Sequence, residues 1–268
     1  MTARLDLLSP LWLTAAVTFV SRRSPWVLPA PVDAASWQAP DEPLARLALG
    51  ACWRLRALAH SLSHGLSRVP DLAAQRTVLQ RTDALLTTSE QFRELAARHD
   101  VDDAETRVLA RLVGEPLPNA LSWAEVAIAD RTFGHALDVT LGSLTESSDS
   151  ELASAASRHV AADLGSTLVE ELAATPSHRE CLQILIDRWL PPAVHVFGRP
   201  GAPGELPLLE SRIKSRSAAE GLSAFLDQLE ADWLPLGLWL PDAERMGVQA
   251  HDGYKPQRPK DSDPRQPR

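Results

Sequence analysis

The sequence predicts an all-α protein, and three observations support this prediction. Apolar residues recur every three or four positions over long stretches, as they do on the buried face of an amphipathic helix. Alternation of apolar and polar residues, which is typical of strands, does not occur over any length, and no repeat of fixed period is evident. The start and stop signals between these stretches are closely spaced, which predicts antiparallel helices joined by short loops.

Size and composition indicate one globular domain. A chain of 268 residues can bury one substantial core, and we expect a single helical domain over residues 1–250. With 44% hydrophobic and 23% charged residues, the composition is typical of soluble proteins. The net charge of -8 argues against nucleic acid as a partner, because nucleic-acid binding needs clustered positive charge.

The cysteines and the N-terminal region favour a cytoplasmic location. Cys52 and Cys181 lie far apart without metal-type spacing, so we expect reduced, buried thiols. The apolar run from Leu11 to Val20 is too short to span a bilayer, and the features of a signal peptide are not found around it. We therefore expect no membrane association.

The two ends of the chain have different compositions. Residues 5–20 have a helical pattern, and the proline-rich segment 26–40 is predicted to be an ordered loop, because leaving Trp26 and Trp37 in water would be costly. Residues 251–268 are polar and proline-rich. We expect them to be a disordered tail, since they can bury too little apolar surface to offset the entropy of ordering.

Capping and stop signals delimit the first helices. Asp41 as N-cap, Pro43 in the first turn and Gly65 as stop predict the first long helix. A second is predicted from Asp71 to Arg98, and a short third ends near Val113. One apolar stripe follows the first helix through Leu44, Leu47, Ala48, Ala51, Leu55, Leu58 and Leu62.

The same reasoning predicts four further helices. They run over 121–144, over 151–173, from Pro176 to Leu190, and, rich in charge and alanine, from the end of the connector 198–204 to the Leu-Pro-Asp segment at 240–242. The double proline at 191–192 is predicted to end the third of these, because proline cannot donate the next helical hydrogen bond. The segment 198–204, rich in glycine and proline, is interpreted as a turn and not as a phosphate-binding loop.

Several short motifs resemble one protein family. They are Arg-Trp-Leu-Pro-Pro at 188–192, Val-Phe-Gly at 196–198, Arg-Ile-Lys at 212–214, Leu-Gly-Leu-Trp-Leu-Pro-Asp at 236–242, and Leu-Ser-Trp-Ala-Glu-Val at 121–126. The first four, in this order, resemble the C-terminal third of the phenylacetic acid catabolic protein family, which comprises the helical subunits of phenylacetyl-CoA epoxidase, and the motif at 121–126 resembles another segment of the same family. The resemblance covers the region from Trp37 to Asp242, and it implies a ferritin-like bundle with extra C-terminal helices.

For the catalytic subunit of that family, the resemblance implies two irons between four core helices. In such bundles two helices each supply a Glu and a His three residues later, and the other two each supply a carboxylate. Here Ala57 precedes His60, and Ala156 precedes His159, at the positions where a Glu would be needed. His64 is preceded in the same way by a serine. The sequence therefore predicts a degenerate site and no bound metal.

Three residues are candidates for what remains of the site: His60, Asp130 and His159. By helical angle Asp130 lies near the apolar stripe of its helix, whereas Asp138 and His135 point away from it. An alternative is a rebuilt mononuclear site for zinc or iron. It would use two pairs at i,i+4 spacing, His60 with His64 and His159 with Asp163.

A basic strip is the other candidate binding feature. Arg212, Lys214 and Arg216 have the charge to contact the phosphates of a coenzyme A thioester, and a solvated strip is the competing interpretation.

Three functional hypotheses follow. The first is a metal-free structural or regulatory subunit, paired with a second helical subunit or with itself, in an aromatic or acyl-CoA oxygenase system of the phenylacetate type. The second is a monooxygenase-like oxidoreductase with a rebuilt, iron-dependent site. The third is a helical module that binds a coenzyme A thioester or a hydrophobic small molecule.

Overall fold

The computed structural model describes residues 42–99, 101, 103–159, 164–198, 202, 204–242 and 246. Every regular element in these ranges is helical and none is a strand, so the all-α prediction is confirmed. The expected helix at 5–20, the expected loop at 26–40 and the expected tail at 251–268 lie outside the described residues.

The first two helices form a long pair that organises the fold. Helix α1 (Pro43–Gly65) and helix α2 (Leu72–Arg98) pack along each other and are joined by a short 3-10 turn. Glu42 caps α1 by accepting a hydrogen bond from the amide of Ala45, and Asp71 caps α2 in the same way from Ala74. Helix α1 is the central element, because it is buried over most of its length and contacts α2 and the next three helices.

The middle of the chain is helical but irregular. Helix α3 (Ala104–Gly114) is followed by α4 (Trp123–Ala129), a π-helical turn (Asp130–Gly134) and α5 (His135–Gly142). The predicted helix over 121–144 is therefore interrupted by a wider turn. In a π-turn the hydrogen bonds span five residues instead of four, so one extra residue is accommodated and every later side chain is rotated.

The predicted single helix over 151–173 is wrong. The structure has two short helices, α6 (Ser150–Ser157) and α7 (Ser166–Ala173), with residues 160–163 between them undescribed. Gly165 precedes α7 at a close crossing, where a Cβ atom would lie 2.2 Å from the Cβ of Ala127. Close packing against α4 thus requires glycine here, and glycine disfavours a continuous helix.

The predicted end of a helix at the double proline is also wrong. Helix α8 (Pro176–Val194) continues through Pro191 and Pro192, and a 3-10 turn (His195–Phe197) follows it. Each proline removes its own amide hydrogen bond and its ring crowds the carbonyl four residues earlier, although its fixed φ angle is compatible with a helix. On both sides of the prolines the side chains of Trp189, Leu190, Ala193 and Val194 are buried, so core packing holds the helix together.

The C-terminal part completes the bundle. Helix α9 (Glu205–Glu210) precedes α10 (Ala218–Trp233), whose start has a reciprocal capping box between Ser217 and Glu220. Helix α10 ends at Trp233, earlier than predicted, and a 3-10 turn leads to Gly237 at φ 74°. The Leu-Pro-Asp segment that was expected to end the helix instead follows an irregular stretch.

In the described part of the chain, no helix combines the length and apolar character that a membrane crossing requires. Cys52 is a buried free thiol and Cys181 is a half-buried one.

Candidate functional site

A buried ion-pair network lies between α2 and the π-turn. The side chain of Arg81, on α2, is only 1% exposed. Its Nε atom donates a hydrogen bond of 3.0 Å to Oδ1 of Asp130, and its Nη2 atom lies 3.4 Å from Oδ1 of Asp138. Since a buried charge is costly unless it is paired, each of these groups depends on the others to remain in the interior.

Asp130 is the most buried acid of the network. Its second oxygen accepts a hydrogen bond of 3.3 Å from the amide of Leu164. Burial raises the pKa of Asp130 to about 6, although the guanidinium of Arg81 acts in the opposite direction, and the carboxylate of Asp138 adds to the rise. The carboxyl group therefore begins to take up a proton not far below neutral pH.

His159 joins the same network through Asp138. Its Nε2 atom lies 2.6 Å from Oδ1 of Asp138, and its side chain is 5% exposed. The structure thus brings together two of the three candidates for the degenerate site. Asp130 and His159 do not bond to each other, and Arg81 and Asp138 connect them.

The expectation that Asp138 points away from the core face is wrong, and the π-turn explains why. At about 100° per residue, eight regular α-helical steps would place Asp138 about 80° away from Asp130. One extra residue within the π-turn reduces this angle to about 20° and aligns the two carboxylates. His135 is half-buried as well, and its ring packs against Phe225 with centroids 5.6 Å apart.

Gly134 provides the space for this arrangement. A Cβ atom at this position would lie 2.6 Å from Oδ1 of Asp130 and 3.3 Å from Nη2 of Arg81. The glycine, within the π-turn itself, lets the guanidinium and the carboxylate approach the helix backbone closely.

His60 is not part of the network. It is exposed, and its ring packs edge-on against His64 with centroids 4.5 Å apart. Nδ1 of His64 lies 2.9 Å from the carbonyl oxygen of His60. Burial, and then the neighbouring imidazole, lower the pKa of His60. Asp163, the fourth residue of the rebuilt site, lies outside the described residues.

The donor set of this network differs from that of a di-iron site. Over the described ranges, no group of three or more His, Cys, Asp or Glu side chains is placed to hold a metal ion. The network offers two carboxylates and one imidazole, and the guanidinium of Arg81 lies among them. Two irons need four carboxylates and two imidazoles in bundles of this type, so the residues present do not fit that group.

The motifs that carry the family resemblance form a second buried cluster. Glu125 accepts hydrogen bonds on Oε1 from Nη1 of Arg188 at 2.6 Å and from Nε1 of Trp189 at 3.1 Å. Its Oε2 atom accepts another from the amide of Leu121 at 2.9 Å. The motif at 121–126 and the motif at 188–192 are therefore joined by a buried acid.

The motif at 236–242 is held in place by the side-chain amide of Gln183. Gln183 donates to the carbonyl oxygen of Trp239 at 2.9 Å and accepts from its amide at 3.2 Å. The side-chain amide thus forms one donated and one accepted hydrogen bond with the backbone of the same residue, as a neighbouring strand would. These bonds attach the irregular segment after α10 to α8.

The basic strip does not act as one surface. Arg212 is exposed, has a left-handed φ of 56°, and its carbonyl oxygen accepts from the amide of Ser148. Arg216 is exposed too, whereas Lys214 is half-buried with Nζ 3.9 Å from Oε1 of Glu205. Only Lys214 therefore faces the interior.

Comparison with known proteins gives no family. No protein-family model matches the chain, and no curated protein matches it either.

Arg81, the centre of the network, was not predicted as a site residue, although its position in the sequence carries a signal. Arg81 follows Val78 by three residues and precedes Leu85 by four, so it lies on the apolar stripe of α2. A cation on the buried face of a helix predicts an acid opposite it.

Proposed function

We propose that this chain is a metal-free, ferritin-like helical subunit. It serves as the structural or regulatory partner of a catalytic subunit in an aromatic or acyl-CoA oxygenase system resembling phenylacetyl-CoA epoxidase. One observation carries the proposal. The cation between the two interior carboxylates, Asp130 and Asp138, is the guanidinium of Arg81.

A guanidinium and a metal ion satisfy carboxylates in comparable ways. Each supplies positive charge at short distance, and the planar guanidinium also donates hydrogen bonds in fixed directions. Where Arg81 occupies that position, a cation drawn to Asp130 and Asp138 is repelled by it. The network therefore supports a role in holding α2, the π-turn and the segment after α6 together, without oxygen chemistry.

Metal content tests this proposal. Protein produced in iron-supplemented medium and purified without chelator is expected to contain less than about one tenth of an iron per chain, because the described residues offer no pair of free interior carboxylates. Elemental analysis makes the measurement, with zinc and manganese determined on the same sample. Stoichiometric iron that is lost in the Asp130→Asn variant would contradict the proposal and favour the oxidoreductase hypothesis.

The partner is tested separately. The tagged chain, purified from the cells that naturally produce it, is expected to elute with a second helical subunit in a fixed ratio by size-exclusion chromatography. Elution as a single species at the mass of one chain, independent of protein concentration, would contradict the partner role.

A further inference from the structure

We propose that the surface around Trp53, Arg54 and Arg111 binds an oxyanion, namely the phosphate or carboxylate group of a small molecule. This site lies outside the Arg81 network, and it does not depend on the proposed function.

Arg54 is the first reason. It lies on α1, half-buried, and no carboxylate or other acceptor bonds to it in the described part of the chain. Burial lowers the pKa of Arg54 to about 10, and the charge of Arg111 lowers it further, opposed by Glu115. A desolvated guanidinium beside a like charge is unfavourable unless an anion compensates it.

Trp53 is the second and independent reason. The residue is 8% exposed, and its indole Nε1 is a buried donor that has no partner among the described residues. The guanidinium carbon of Arg111 lies 4.1 Å from the centroid of this ring, and that of Arg54 lies 5.9 Å from it. Buried donors are almost always satisfied, so an unsatisfied indole beside two cations indicates an acceptor other than the described residues.

Lys214 adds a third cation from another element. Its pKa is lowered by burial, and the charge of Arg54 contributes to this, while Glu205 opposes it. Lys214 pairs with Glu205 at 3.9 Å, and Gly204, the preceding residue, lies against α1, where a Cβ atom would be 3.5 Å from Nη1 of Arg46. Of the predicted basic strip, Lys214 is the residue that is half-buried.

The acids nearby are already engaged. Glu115 is bonded to Nε of Arg111 at 3.1 Å, and Glu205 accepts from the amide of Ala218 and pairs with Lys214. Neither bonds to Arg54 or to the indole. Beside these engaged acids, the guanidinium of Arg54 and the indole Nε1 of Trp53 remain as donors, which is the complement of an oxyanion, and the fork of Arg54 suits two oxygens of one group.

The test follows the indole signal of Trp53 by NMR in the full chain, assigned with a Trp53→Phe variant. Inorganic phosphate is titrated at constant ionic strength, with acetate and sodium chloride in parallel. We expect a saturable shift of this signal with phosphate or acetate, and the two series distinguish the classes of oxyanion. No saturable shift with either, or an equal response to chloride, would overturn the proposal.

Two variants test whether Arg54 itself binds the anion or whether the loss of any positive charge weakens binding equally. Arg54→Gln is expected to weaken the apparent affinity at least tenfold, whereas Arg76→Gln, which removes an exposed cation on α2, is expected to leave it unchanged. Equal affinities in the two variants would contradict the assignment.

Stability without ligand gives a second measurement. Arg54→Met retains most of the aliphatic stem and removes the uncompensated charge, so its melting temperature in anion-free buffer is expected to rise by a few degrees. Phosphate should raise the melting temperature of the unmodified chain and not that of the variant. A variant that melts lower in anion-free buffer would show that Arg54 stabilises the fold without an anion.

Discussion

Asp130 has the clearest individual effect at the scale of the residue. Its pKa rises from 3.8 to about 6 on folding, and at about 1.4 kcal/mol per pKa unit this difference is worth about 3 kcal/mol. The folded state binds the proton more tightly than the unfolded state does. The contribution of Asp130 is thus fully present below about pH 4, and it is lost as the pH rises through about 6.

The Asp130→Asn variant tests this sign. Asparagine has the same shape and no titration, so the unfolding free energy of the unmodified chain, minus that of the variant, should fall as the pH rises from about 4 to about 6. Urea unfolding at several pH values makes the measurement. A difference that is independent of pH, or that grows over this interval, would show that the ion pair with Arg81 outweighs burial.

Arg81 shows how far residue-level prediction reaches. Its position on the apolar stripe can be recognised from sequence, but its partners cannot, because Asp130 and Asp138 share a face only after the π-turn has formed. His159 was identified as a site candidate from its spacing. Its contact with Asp138 depends on where the chain leaves α6, which no local signal specifies.

At the scale of the element, the π-turn is the feature with the greatest effect. It aligns the carboxylates, and Gly134 leaves the space in which Arg81 reaches Asp130. Gly134→Ala adds a methyl group 2.6 Å from a carboxylate oxygen, and it is expected to destabilise the fold by about 1–3 kcal/mol.

Gly142 provides a matched control for this prediction. It lies at the end of α5, and a Cβ atom there meets nothing within 4 Å. Gly142→Ala should therefore be neutral or stabilising by up to about 1 kcal/mol, because alanine loses less backbone entropy in a helix. Thermal unfolding of both variants checks the pair. Equal effects would show that the space at Gly134 is not specifically required.

Some helix boundaries are set by local signals in the sequence, and others are set by tertiary packing. The starts of α1 and α2 were predicted to within two residues, since Asp71 and Pro43 act on the adjacent backbone. The passage of α8 through Pro191 and Pro192 was not predicted, because buried side chains on both sides of the prolines decide it. The break before α7 likewise depends on the approach of Gly165 to Ala127.

At the scale of the molecule, one buried acid joins the middle of the chain to its C-terminal third. Glu125 is 3% exposed and bonds to Arg188 and Trp189, which lie more than sixty positions later. Glu125→Gln removes the charge and keeps one acceptor, so we expect a loss of about 1–3 kcal/mol.

The control for the Glu125 variant is an exposed ion pair with a similar distance between nitrogen and oxygen. Arg98 and Glu151 lie 2.7 Å apart with both side chains more than half exposed, so Glu151→Gln should change stability by less than about 1 kcal/mol. For Glu125→Gln, circular dichroism and tryptophan fluorescence should report the same lower urea midpoint, because the pair links two segments of one cooperative unit. Midpoints that differ between the two signals would show that the segments unfold separately.

The position of Arg81 has a consequence for how the chain matures. A metal must be delivered, can be removed by a chelator, and changes its charge with oxidation state. The positive centre between Asp130 and Asp138 is instead covalently attached from the moment of synthesis. Folding of this interior is therefore expected to proceed equally well in iron-starved and iron-replete cells.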